Sequence, residues 1–261
     1  RSTASALVTW QDGLQFDGQT IQVRGQVEAK TDQQRLRAPL VEIGLTKRID
    51  LSQAPRDASV NIQDVRLTGQ VMMENRTVTG GELTSIDEMM VKDLTIDQQT
   101  GAMSADGPGW MKSVRKGSGF GPGEFTGPAF GQTRTPQREP PPANQNALTY
   151  LRVTFQTAMT GNIHNRQVQL HEGVRAIYGS VKRWDETIDP DRALETHGNV
   201  VLLTSDTLQV AEMGSSTSGD QPTSLGPVEL QALGNATVEG STFTARAHRI
   251  AYTQAKDMLV M

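Results

Sequence analysis

The residues that could do chemistry are few and poorly grouped. The run Gly117-Ser118-Gly119-Phe120-Gly121-Pro122-Gly123 has the glycine density of a phosphate loop. Such a loop also needs a Lys-Ser/Thr pair entering a helix, whose N–H groups and ammonium hold the charge. Here further prolines follow instead. His171-Glu172 begins like the helical zinc motif, but Arg175 stands where the second histidine belongs, and the flanking residues alternate as a strand does. His164 and His171 have opposite parity on either side of a hairpin, so they face apart, and structural or surface roles fit all four histidines. Asp185, Glu186, Asp189 and Asp191 form an acidic run, yet a calcium loop needs a central glycine and a distal bidentate Glu, and Pro190 interrupts it. A solvated loop is the better reading. There is no Gly-x-Ser-x-Gly elbow. With no cysteine, thiolate nucleophiles, Cys-bound metals and disulfides are excluded. The expectation is a protein that is not an enzyme and uses neither metal nor cofactor.

The elements that would position any site are strands. Only 36% of the 261 residues are apolar and 5% aromatic, while 25 glycines and 12 prolines supply turns, which suits a β protein with a thin core. A net charge of -4 gives no field that would draw nucleic acid. No apolar run reaches membrane-span length, and the first residues, R-S-T-A-S-A-L-V, hold no apolar signal core. Residues 7–46 read as a first block: short strands around Leu7 and Leu14, a hairpin signal at Asp17-Gly18, then Ile21, Val23, Val27 and Ala29 alternating around Gly25. Pro39 marks a change of phase. Residues 49–115 repeat the pattern through Val65, Leu67 and Val71, then Ile86, Met90, Leu94 and Ile96, with a fixed bend at Gly107-Pro108-Gly109. Residues 116–147 are rich in Gly and Pro and read as a long loop or linker. From Leu148 the strands resume: Leu151, Val153, Phe155 and Met159 out, then Val168, Leu170, Val174, Ala176 and Tyr178 back. Residues 182–195 read as a polar loop with one helical turn near Pro190, and residues 197–210 as a strand pair.

The last stretch, Pro227 to Met261, shows the unit most clearly. Val228, Leu230 and Ala232 alternate up to Gly234-Asn235, Ala236 and Val238 keep the phase, and Phe243, Ala245 and Ala247 return. It stops at Met261 without a closing turn, as a fragment of a longer chain would. The run I-Q-V-R-G-Q-V-E-A-K of residues 21–30 repeats the same order in degenerate form.

This stretch resembles the repeating unit of the OstA/LptA-like family of periplasmic lipopolysaccharide-transport proteins. The resemblance rests on A-L-G-N-A-T-V (residues 232–238), F-T-A-R-A-H-R-I-A-Y (243–252) and A-K-D-M-L (255–259). It implies an all-β fold of two antiparallel sheets, a jelly-roll or β-taco of many short strands. It also implies a place in the periplasm or cell envelope, an amphipathic lipid or glycolipid as ligand, and bridging to other β-taco proteins through open sheet edges. The Gly/Pro-rich insert departs from the family pattern. On this reading 1–115 and 148–261 are two sets of repeats, or one continuous stack. Alternation then nominates Val65, Leu67, Val71, Leu151, Val153, Phe155, Met159, Val228, Leu230, Val238 and Phe243 as ligand-lining. The alternatives are a fully packed envelope scaffold and a carbohydrate-active β enzyme.

Overall fold

A computed structural model of the chain describes residues 6–50, 60–116, 148–196, 200–212, 228–253 and 258–261. These residues form seventeen strands: β1 (Leu7–Thr9), β2 (Gly13–Phe16), β3 (Thr20–Lys30), β4 (Gln34–Leu45), β5 (Ile62–Thr68), β6 (Val71–Thr79), β7 (Glu82–Val91), β8 (Leu94–Asp97), β9 (Ala102–Asp106), β10 (Gly109–Lys116), β11 (Leu148–Phe155), β12 (Ala158–Asn162), β13 (Gln167–Val181), β14 (Val200–Glu212), β15 (Val228–Gly240), β16 (Thr244–Thr253) and β17 (Met258–Val260). One helical turn, α1 (Ala193–Thr196), lies between β13 and β14. The fold is all-β and every strand pairing among the described residues is antiparallel.

The strand order repeats one device. Each rung of the stack bends at its middle, so that its two halves join two different ladders. The long strands β3, β4, β13, β14, β15 and β16 bend within themselves, whereas β5 with β6, β7 with β8, β9 with β10, and β11 with β12 are rungs broken at the bend. In β3, β13 and β15 the bend is a bulge of two consecutive residues with positive φ: Gly25-Gln26, Glu172-Gly173 and Gly234-Asn235. Two left-handed residues break the pairing and swing the strand without losing the inward phase.

In the first ladder one inward row runs Val23, Val41, Leu67, Leu94, Ala105, Met159, Leu170, Leu208, Ala232 and Ile250, each directly paired with the next. All ten are buried. In the second ladder the matching row runs Ala29, Leu36, Met73, Met89, Met111, Val153, Ala176, Leu203, Val238 and Ala245. Inward side chains of both ladders share one core with Val27, Ala38, Val71, Val91, Phe155, Val174 and Ala236 at the bends. The outward positions of the first ladder are mostly polar, as in the paired series Gln22, Glu42, Arg66, Thr95, Ser104, Thr160, Gln169, Gln209 and Gln231. That alternation is what burial of one face of an antiparallel sheet requires.

Two sequence expectations are corrected. Residues 200–210 belong to one continuous strand, β14, with its bend at Ser205-Asp206, and are not a strand pair; residues 197–199 lie outside the described residues. Ile86 and Met90 face outward, while their neighbours Asp87 and Met89 take the inward phase. Residues 182–192 form a loop with exposed Asp185, Asp189 and Asp191, followed by the helical turn α1, as expected; the sequence did not show that Ile188 and Ala193 are buried and, with half-buried Trp184, cover an outer cluster of Val114, Leu148, Tyr150, Ile177, Val181, Val200 and Leu202. Between 1–115 and 148–261, β10 pairs with β11 from Gly109 opposite Phe155 to Lys116 opposite Leu148, so strands from both sides of the insert are neighbours. Residues 117–147 themselves lie outside the described residues.

Candidate functional site

Beyond the buried row the two ladders do not close on each other. A cavity of about 720 Å³ lies between them. One wall, from the first ladder, carries Val168, Leu170, Leu208, Val210, Leu230, Ala232, Ile250 and Tyr252. The other, from the second, carries Leu36, Met73, Met89, Met111, Leu151, Val153, Ala176, Tyr178, Val201, Leu203 and Val238. Ligand pockets of about 300–1,000 Å³ with mostly apolar walls and a few placed polar groups are the usual form of a small-molecule site. Met73, Met89 and Met111 stand on three adjacent rungs, a flexible thioether surface that can adapt to an irregular apolar guest.

The lining changes at the mouth. The next inward row of the second ladder reads Gln34, Asn75, Asp87, Ser113, Leu151, Tyr178 and Val201. Its first four members are polar and its last three are not. Asp87 accepts hydrogen bonds from Ser113 Oγ at 2.6 Å, from Arg115 Nη2 at 3.1 Å and from Ser85 Oγ at 3.2 Å. Arg115 Nε also donates to Ser113 Oγ at 2.9 Å. On the outward phase of the same strands Lys112 pairs with Glu88 at 2.6 Å, and Arg35 pairs with Glu28. The Arg35 hydrogen bond, against a smaller effect of burial, holds the Glu28 carboxyl below the usual carboxylate range.

Of the residues nominated by alternation, Leu151, Val153, Leu230 and Val238 line this cavity. Val65, Leu67, Val71, Phe155 and Met159 belong to the packed core instead, the last two almost wholly buried. Phe243 is half-buried against the same core. Val228 begins β15, and its side chain lies outside the described ones. The polar lip was missed. Its signal was an inward phase, Asp87 and Met89 or Met111 and Ser113, masked by the doublets Met72-Met73 and Met89-Met90, which place an apolar residue on each face.

The other chemical candidates resolve into structure. Asp191 pairs with Arg175 at 2.7 Å, Asp189 Oδ1 accepts the Asp191 N–H, and Glu186 accepts the Lys182 N–H, so the acidic run ties down the outer strap. His171 lies beside Thr160, 3.1 Å from its hydroxyl. Among the described residues no three His, Asp or Glu side chains converge to hold a metal ion. Among them, too, no helix is long and apolar enough to cross a membrane. No family model, no curated protein and no solved structure matches the chain.

Proposed function

We propose that this is a cell-envelope protein of the β-taco kind that binds or relays lipopolysaccharide or a similar amphipathic glycolipid between envelope partners. The observation that carries the reading is the apolar cavity between two ladders whose inward rows run the length of the stack. A packed scaffold has no use for unfilled apolar volume, because every wall atom facing it forfeits dispersion contacts. The resemblance of the last repeat to the OstA/LptA-like unit supplies the ligand class and the envelope location.

The ends of the stack support the bridging role. Among the described residues β1 and β2 each pair only with β3, and Leu7, Val8 and Leu14 on them are exposed, as is Trp10 between them. An open strand edge with apolar neighbours is a template for adding another chain's strand.

Native mass spectrometry of the protein with a lipid A-type glycolipid and, separately, with a monoglucosyl diacylglycerol tests the ligand. A stoichiometric adduct with at least one of them is expected, lost on Val238→Asp and on Leu230→Asp, which charge opposite walls, and kept on the outward change Gln209→Asp. Absence of any adduct with folded protein would refute the reading.

A further inference from the structure

We infer that the lipid taken by this cavity has an uncharged, hydroxyl-rich head. The inference rests on the lipid-binding reading above and narrows it.

The first ground is the lining. The cavity of about 720 Å³ is walled mainly by apolar side chains, and the polar side chains Gln34, Asn75, Asp87 and Ser113 share one inward row.

The second ground is the charge of the wall. Two charged side chains share the inward phase of this wall, Arg115 and Asp87, and their charges cancel; Arg35, Glu74, Glu88 and Lys112 stand on the outward phase of the same strands. The Arg115 guanidinium is already paired with the Asp87 carboxylate at 3.1 Å. A phosphate head needs uncompensated cations or converging N–H groups. At this lip it meets the Asp87 carboxylate on the same guanidinium it would have to use. Hydroxyl groups suit the lip better. Arg115 has five N–H donors, of which the bonds to Ser113 and Asp87 use two. Asp87 accepts three hydrogen bonds, leaving room for a sugar hydroxyl to donate, since an ionised carboxylate offers about four lone-pair sites. The polar half of the row adds the Gln34 and Asn75 amides.

Competition against a bound pyrene-labelled monoacylglycerol tests this. The competitors are a monoglucosyl diacylglycerol, phosphatidic acid with the same chains, and six-chain bisphosphorylated lipid A. The glucosyl lipid is expected to displace the probe at a concentration at least about tenfold below either phosphorylated lipid. Asp87→Asn, which leaves the Arg115 charge uncompensated, is expected to narrow the gap to phosphatidic acid to less than about threefold. Arg115→Gln, the second variant should the first not fold, is expected to widen it. Circular dichroism and melting confirm folding of each. Equal or better competition by lipid A or phosphatidic acid overturns the inference and leaves lipid binding standing. Failure of the folded protein to bind the probe or any competitor overturns both.

Discussion

The carboxylate of Asp93 accepts the backbone N–H of Gly69 at 2.6 Å, across the seam between two rungs at their bends. Asp93 also takes the Asp106 N–H on its own carbonyl at 3.0 Å, so one residue joins three successive bends. Gly69 sits at φ 90°, and a Cβ there would come within 2.7 Å of the Pro39 ring. Position 69 therefore excludes a side chain on two counts. Gly69→Ala is expected to cost about 2–3 kcal/mol, from the left-handed backbone and the displaced proline together. Asp93→Ala, which strands a part-buried N–H, should cost about 1–3 kcal/mol. Urea unfolding at constant m-value measures both. A change below 0.5 kcal/mol in either variant, on the order of a neutral surface substitution, would show that the bend is not held this way.

The packed row and the cavity wall should answer truncation differently. Leu94 is buried in the row that closes the bends, and Leu151 stands half-buried on the wall. Leu94→Ala removes contacts on every side and should cost about 2–5 kcal/mol. Leu151 already faces a void on one side, so Leu151→Ala has fewer contacts to lose and should cost under about 1.5 kcal/mol. The second substitution, and not the first, should weaken a bound apolar probe at equal folded fraction. Equal costs would mean that the walls close on each other in solution.

Alternation made most of the fold legible, and the bends were legible wherever a residue with special backbone needs marked them. Gly25, Pro39, Gly107-Pro108 and Gly234-Asn235 all lie at bends. Ser205-Asp206 does not advertise itself, because the chirality needed there is supplied by the neighbouring rung: Asn235 Nδ2 donates to Asp206 Oδ2 at 2.9 Å, and the bulge lies in β15. Period two also says nothing about a second apolar face. Ile177 and Leu202 read as breaks in a pattern until the strap of residues 182–196 gives them something to pack on. The cavity is a property of the distance between ladders, which no local pattern encodes. Hence Phe155 and Leu151, two turns of the same stripe, were equally good lining candidates, although one is core and the other wall.

The outer cluster offers a stability test independent of the cavity. Tyr150 is fully buried there, and its hydroxyl has no hydrogen-bond partner among the described residues. Burying an unpaired hydroxyl costs about 1–3 kcal/mol, so Tyr150→Phe should leave stability unchanged or raise it by up to about 1 kcal/mol. Ile188→Ala should do the opposite and cost about 2–4 kcal/mol, because Ile188 seals the same cluster from the strap side. Neither change should alter lipid competition. Thermal melts decide it, and marked destabilisation by Tyr150→Phe would mean that the hydroxyl has a partner after all.

Two turns carry a matching pH signature. Asp17 Oδ1 accepts the N–H groups of Thr20 at 2.7 Å and Gln19 at 2.8 Å, and Asp97 Oδ1 accepts those of Thr100 and Gln99, both at 2.8 Å. These bonds, the Thr20 and Thr100 N–H foremost, favour the ionised carboxylates and hold both carboxyls below their ordinary range. A carboxyl depressed in the folded state contributes stability that is fully present above its unfolded value of about 3.9 and is lost as pH falls through the folded value. Asp17→Asn and Asp97→Asn keep the acceptor oxygen and remove the charge. Each variant should therefore melt below the parent at pH 7, and the difference should shrink as pH is lowered from about 4 towards 2, where the parent carboxyls are protonated too. Both turns have the order Asp-x-Gln-Thr, and both close a rung end at the first ladder, so the two losses should add, the sites sharing no partner. Melting temperatures of the parent, the single variants and the double variant across that pH range are the measurement. A gap that stays constant down to pH 2 would assign the effect to turn geometry and remove charge from the account.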